Sequence, residues 1–266
     1  MTAIGPSRLA WLGAGLGLLL AGVLFAPAHW LALAVDTGTA GQVQLPHARG
    51  TVWNGQADLL LTGGTGSRSQ IALTQGLQWR LRPAWVDGSP VLRLQLTAPC
   101  CTPQGLTLTA WPQGLSGIRL RLAALQSHWP SELLAGLGTP WNTLRLEGQL
   151  ALQSPGLDLR WASGRWHLQG ALTLELHDAA SRLSRLRPLG SYRLAVTAVA
   201  DQGIATLALQ TLSGELQLQG QGQWMVGGRL RFRGEAQASP EREEALSNLL
   251  NIVGRRQGTR SLLTIG

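Results

Sequence analysis

The chain has 266 residues, of which 44% are apolar and 14% charged; this balance excludes a disordered chain and predicts a packed core. Its formal charge is +8, and all 22 basic residues are arginine. No helix-turn-helix, zinc-finger or RNA-binding signature accompanies that charge, so nucleic acid is not expected as a partner, and attraction to anionic headgroups makes membrane lipids the more natural one.

From Leu9 to Val35 no charged residue occurs. A helix crossing hydrocarbon needs roughly 20 apolar residues, so residues 9–30 are expected as a transmembrane helix with Trp11 and Trp30 at its interfaces. Arg8 precedes this run and the next arginine is Arg49, so the positive-inside bias leaves residues 1–8 in the cytoplasm and exports the remainder. A cleaved signal peptide is the competing reading, since Ala26-Pro27-Ala28 supplies an A-x-A site. Gly13, Gly17 and Ala21 recur every four residues and form a small-residue face that admits a partner helix, although glycine is common throughout this chain. Residues 31–47 read as a linker and residues 48–266 as one exported β-rich domain.

Beyond residue 48 the dominant pattern is period-two alternation, which marks strands with one buried face. It is clear at Leu92-Leu94-Leu96, Leu106-Leu108-Ala110 and Ile118-Leu120-Leu122, and it recurs through Leu230-Phe232. Roughly ten to thirteen strands fit, as an antiparallel meander. Gly148, Gly170, Gly220, Gly222 and Gly234 fall on the apolar parity, which suits bulges and a strongly curled sheet. Arginines sit singly between leucines, as in Leu92-Arg93-Leu94, a pattern that predicts solvated strand faces rather than a continuous basic patch. A short helix is expected at Pro130–Leu137. A second begins with Ser239 as N-cap and Pro240 at its first position, buries Leu246, Leu249, Leu250 and Val253, stops at Gly254 and leads into a basic tail.

Catalytic and metal-binding patterns are sparse. His29, His47, His128, His167 and His177 are scattered, and Glu175 with His177 is the nearest approach to a ligand set. Gly63-Gly64-Thr65-Gly66-Ser67 lacks the lysine and helix of a phosphate loop and reads as a hairpin turn. No nucleophile elbow or acid/base carboxylate pair occurs, so the expectation is a protein that is not an enzyme, with no cofactor, no metal and no small-molecule substrate. Cys100 and Cys101 are adjacent, which leaves free thiols, a disulfide between the two, or a link to another chain. Of eleven tryptophans, Trp79, Trp161, Trp166 and Trp224 lie on apolar parity and read as core. Trp53, Trp85, Trp111, Trp129 and Trp141 lie beside Pro or Gly and are candidate partner anchors, with core packing the competing use.

Several segments together resemble a known family, the type II secretion system protein N. They are the apolar segment running into Pro27-Ala28-His29-Trp30, the Arg49-Gly50-Thr51-Val52-Trp53-Asn54-Gly55-Gln56-Ala57 strand entry and Leu77-Gln78-Trp79-Arg80-Leu81-Arg82-Pro83. Leu137-Gly138-Thr139-Pro140-Trp141-Asn142-Thr143-Leu144, Pro188-Leu189-Gly190-Ser191-Tyr192 and the strand around Arg229–Ala238 complete the set. Each motif is weak alone, and their order and spacing carry the likeness. The resemblance implies a non-enzymatic, single-pass inner-membrane accessory of the machine that exports folded periplasmic proteins, in contact with its other inner-membrane components. Similarity to the AsmA-like group of curled-sheet envelope proteins implies an alternative, periplasmic lipid binding or handling. The fold expectation is therefore mainly β: an N-terminal transmembrane helix, a large curled antiparallel sheet of AsmA-like type, and a short C-terminal helix.

Overall fold

The structure, a computed structural model, describes residues 6–64, 67, 69–114, 117–138, 141–162, 164–199, 203–225 and 228–266. Two helices, α1 (Pro6–Leu24) and α2 (Ala28–Gly38), lead into short strands β1 (Val43–Gln44) and β2 (Arg49–Gly50). Then come β3 (Asn54–Thr62), β4 (Gln70–Val86), β5 (Ser89–Thr97), β6 (Leu106–Gln113), β7 (Gly117–Leu122) and β8 (Leu125–Pro130). A 3-10 turn (Ser131–Leu137) and the one-turn α3 (Trp141–Leu144) precede a hairpin of two 17-residue strands, β9 (Leu146–Ala162) and β10 (Arg165–Ser181). The chain continues through β11 (Gly190–Ala198), β12 (Ile204–Gly214), β13 (Leu216–Met225), β14 (Leu230–Ala238), α4 (Glu243–Val253), β15 (Arg255–Gln257) and β16 (Arg260–Ile265).

All sixteen strands belong to one antiparallel sheet that follows chain order almost throughout, with β2 paired to β3 and β8 paired to β9 off the main path. The sheet is open: β1 and β2 lie at one edge and β15 at the other. These three strands have two or three residues each, too few for alternation to mark them in the sequence. They also keep the exposed backbone edges short. The expected basic tail after α4 is instead β15 and β16, because Leu262 and Leu263 pair with Glu235 and Gly234 of β14.

The expected transmembrane helix over 9–30 is not found. α1 ends at Leu24, and α2 starts only at Ala28. Pro27 has no N–H to continue a helical ladder and pushes Ala26 out of the α region. Pro27 itself is extended (φ −70°, ψ 148°) and bridges Thr51. No helix among the described residues is long and apolar enough to cross a membrane. Residues 31–47 hold most of α2 and then β1.

Pleat alternation sends the leucines to one face, and every helix that packs on the sheet does so there. Ala28, Leu31, Ala32 and Val35 of α2 meet Ala57, Trp79, Leu94 and Leu96. Leu133 of the 3-10 turn and Trp129 of β8 meet Leu59, Leu61, Ile71 and Leu73 of β3 and β4. In a flat sheet β4 and β9 would stand about 19 Å apart, four strand spacings. The 3-10 turn nevertheless touches both, so the sheet bends toward its apolar side. Asn142 donates to Ser69 Oγ (3.0 Å) across the same gap.

Leu246, Leu249 and Leu250 of α4 enter the largest core cluster with Tyr192, Leu216 and Ala236. Ser239 is not a side-chain cap: its hydroxyl binds the Glu215 carboxylate, and Pro240–Arg242 form a 3-10 turn before α4 begins. Gly254 is extended (φ −166°) rather than left-handed. On β13, Gly220 and Gly222 lie beneath the Phe232 ring, where any Cβ would strike the ring or the neighbouring strand. Cys100 and Cys101 form a disulfide with each other in the β5–β6 connection, and the Cys101 carbonyl accepts the His128 N–H (3.0 Å).

Leu250 has no exposed surface. Leu250→Ala should therefore destabilise the domain by about 2–5 kcal/mol in urea denaturation. The same change at half-exposed Leu207 should cost much less.

Candidate functional site

Among the described residues no helix packs on the polar face of the sheet, and its side chains are arranged by register. One row reads straight across β4, β5, β6, β7, β9 and β10 as Arg82, Arg93, Thr109, Arg121, Asp158 and Gln169. The next row contains Trp111, Arg119, Arg160 and His167. Arg80 lies two residues before Arg82 on the same face. The sequence expectation of isolated arginines is thereby corrected: each is single within its strand, but pairing stacks the strands so that they meet. From Arg82 to Asp158 the row spans about 19 Å, and the three levels cover about 14 Å along the strands.

Six arginines here face one carboxylate, a surplus of five positive charges within the chain's formal +8. Arg82 and Arg93 are direct cross-strand partners, as are Arg119 and Arg160. Like charges in such positions oppose strand pairing. Both Asp158 oxygens share the single Arg119 Nε–H (2.9 Å each), and the carboxylate also accepts from Arg119 Nη2 (2.6 Å) and Arg121 Nε (3.2 Å). Burial alone would raise the Asp158 pKa, but these guanidinium hydrogen bonds outweigh it and hold the carboxyl below the ordinary range. Both guanidinium carbons also stand over the Trp111 ring, 5.8 and 5.2 Å from its centroid. Arg80, Arg82, Arg93 and Arg160 make no ion pair among the described residues.

Several arginines elsewhere do have carboxylate partners. Arg193 binds Glu175 (2.7 Å), Arg182 and Arg187 bind Glu147 (3.3 and 2.7 Å), and Arg256 binds Glu243 (2.6 Å). His177 also binds Glu175 (3.0 Å), so that carboxylate is shared between a histidine and an arginine. Among the described residues no group of three or more His, Cys, Asp or Glu side chains converges as a metal set would.

The residues singled out as partner anchors are dispersed. Gly13, Gly17 and Ala21 lie on α1, where a Cβ added at Gly13 or Gly17 would meet nothing within 4 Å. Trp53 is half-buried at the β2–β3 corner, and its indole N–H donates to the Val23 carbonyl in the last turn of α1 (2.7 Å). Trp85 stands 75% exposed beside the β4–β5 turn. Trp111 is half-buried under Arg119 and Arg121, and Trp141, 37% exposed, opens α3. Trp129 donates to Ser127 Oγ (2.9 Å) and joins the core. Of the tryptophans read as core, Trp79 is buried, Trp161 and Trp166 meet with ring centroids 4.9 Å apart at a 51° tilt, and Trp224 packs against the Leu168 cluster. Within the glycine-rich and Thr-Pro-Trp motifs, Thr65, Gly66, Thr139 and Pro140 lie outside the described residues.

Asp158→Asn should cost about 1–3 kcal/mol at neutral pH, because it removes the negative charge and one of the two acceptor oxygens that Arg119 and Arg121 share. The folded-state pKa is lowered, so the contribution of Asp158 is present above its unfolded value and is lost as pH falls below about 4. Denaturation midpoints of wild type and variant should accordingly differ at pH 7 and converge toward about pH 2.

No curated protein and no solved structure matches the chain. The family model for type II secretion system (T2SS) protein N matches residues 41–262, from the end of the α2 connection to the final strand. With most of its length covered, and with the Trp53 corner, the arginine rows and α4 all inside the match, the chain belongs to the type II secretion system protein N family and takes part in type II secretion.

Proposed function

We propose that this protein is a non-enzymatic accessory of the type II secretion machinery that works at the inner membrane and helps assemble or stabilise the apparatus through contacts with its other inner-membrane components. The observation that carries the proposal is the surface of α1. Trp11 is 79% exposed, Leu18 78% and Leu24 61%, so the helix leaves its large apolar side chains without neighbours in its own chain. Such a surface is costly in water and is satisfied by lipid or by a partner's helices. Gly13 and Gly17 lower the profile of one face, which lets another helix approach closely. Trp53 fixes the last turn of α1 to the sheet, so the helix and the exported domain would move as one body.

A second reading, lipid binding on the apolar face, is favoured by one observation. Between the regions covered by α2, the 3-10 turn and α4, Leu92 stays 43% exposed and Ile118 37% exposed, rather than packed in a dry core. A bent, leucine-lined trough of this kind would accept acyl chains. Bound lipid in native mass spectrometry of gently extracted protein would support it, and its absence would remove it.

Gly13→Leu/Gly17→Leu should leave the sheet intact, because the added side chains meet nothing in this chain. In a secreting strain, crosslinking followed by purification should recover known inner-membrane secretion components with the wild type and at least about fivefold less with the double variant. Equal recovery from both would refute the assigned docking face.

A further inference from the structure

The arginine rows ask for a counter-charge that the chain does not supply. We infer that the polar face of β4–β9 is a docking surface for anionic phospholipid headgroups, with Arg80, Arg82 and Arg93 in first contact. The inference is carried by the register of the sheet and stands whether or not α1 binds a secretion component.

Three observations converge. First, the charge is one-sided and bare: Arg80, Arg82, Arg93 and Arg160 are exposed and make no ion pair among the described residues, while Arg82 directly opposes Arg93 across the strands. A sheet that keeps like charges side by side gains when an external array of anions neutralises them. Second, the chemistry suits phosphate. Guanidinium groups bind phosphate oxygens through paired N–H donors and desolvate more readily than ammonium groups. Their spacing of about 5 Å across strands and about 7 Å along them spreads the donors over a plane rather than a pocket.

Third, the patch begins where the apolar helix joins the sheet. The Trp53 indole holds the Val23 carbonyl of α1, and the Trp53 carbonyl accepts the N–H of Leu81, the residue between Arg80 and Arg82. At that junction Phe25 is 75% exposed, while Trp85, of the same strand parity as buried Trp79, belongs to the face opposite the arginines. Exposed aromatic and aliphatic side chains beside a basic field are the signature of an interface between water and lipid. A purely acidic protein partner would satisfy the arginines but would leave Phe25 and the exposed apolar side chains of α1 without a role.

The test uses full-length protein diluted from mild detergent onto vesicles of phosphatidylcholine alone, or with about 30% phosphatidylglycerol to set the surface potential. Each juxtamembrane arginine strengthens binding to an anionic leaflet about fivefold. At 50 mM salt the anionic vesicles should therefore hold the wild type far better than the neutral ones, and about 0.5 M salt should erase the difference. Arg80→Gln/Arg82→Gln/Arg93→Gln should lose about a hundredfold of that preference with no fall in melting temperature, since it removes a repulsion. Arg231→Gln/Arg233→Gln/Arg255→Gln, a charge-matched control on the far half of the sheet, should keep most of it. Equal partition of the wild type on both vesicles, or equal losses in the two triple variants, overturns the assignment. In the first case an acidic protein surface becomes the occupant. Recovery of secretion components in the crosslinking experiment depends on α1, so the failure of either reading is visible without the other.

Discussion

Antiparallel pairing in sequence order is the constraint on which the rest of the molecule depends. Because nearly every strand hydrogen-bonds to its neighbour in the chain, one parity choice propagates from β3 to β14. That choice puts the leucines on one side and the arginines, glutamines and threonines on the other. The helices then have only one surface to cover, and the second surface is left to solvent and to partners. A shift of one residue in a single hairpin would invert this assignment for everything beyond it.

Bulges let so large a sheet bend without losing its parity. The β9–β10 hairpin shifts register between Ala171 and Thr173 and again between His177 and Ala180. Gly148, with φ +132°, faces the second of these shifts, where a side chain would collide with the His177 carbonyl. Bending brings β8 and the 3-10 turn over β3 and β4, and the same curvature gives α4 a concave seat on the other half.

Much of this was legible in the sequence, and the misses have physical reasons. Period-two leucines announced the strands, and Leu246, Leu249 and Leu250 announced the buried stripe of α4, because burial patterns are local in the chain. The basic surface was not legible. Arg82, Arg93, Arg121 and Arg119 are each isolated among leucines, and they meet only through a register that no single strand encodes. The break at Pro27 was visible as a residue but was outweighed by the apolar run around it. The cap expected of Ser239 failed because Glu215, distant in sequence, competes for its hydroxyl. Strands β15 and β16 were read as a tail because arginine-rich segments resemble solvated ends until a partner strand, here β14, is known. Among the candidate residues, Trp85 and Trp111 share one description in sequence, within two residues of a proline, yet one is open to solvent and the other lies beneath two guanidinium groups.

The near-sequential strand order also bears on how the protein acquires its structure. Each new hairpin closes against the strand made just before it, so loop-closure entropy stays small at every step. A chain that enters a compartment from its N-terminal end can zip up progressively, adding one strand at a time to a growing edge. β2, β8 and β15 are exceptions, since none pairs with the strand before it and each must wait for the next; of the three, β8 carries the roof of the first half. Until the β9–β10 hairpin forms, the first half has neither its roof nor its bend, which makes that hairpin the step at which an elongating ribbon becomes a closed-over body.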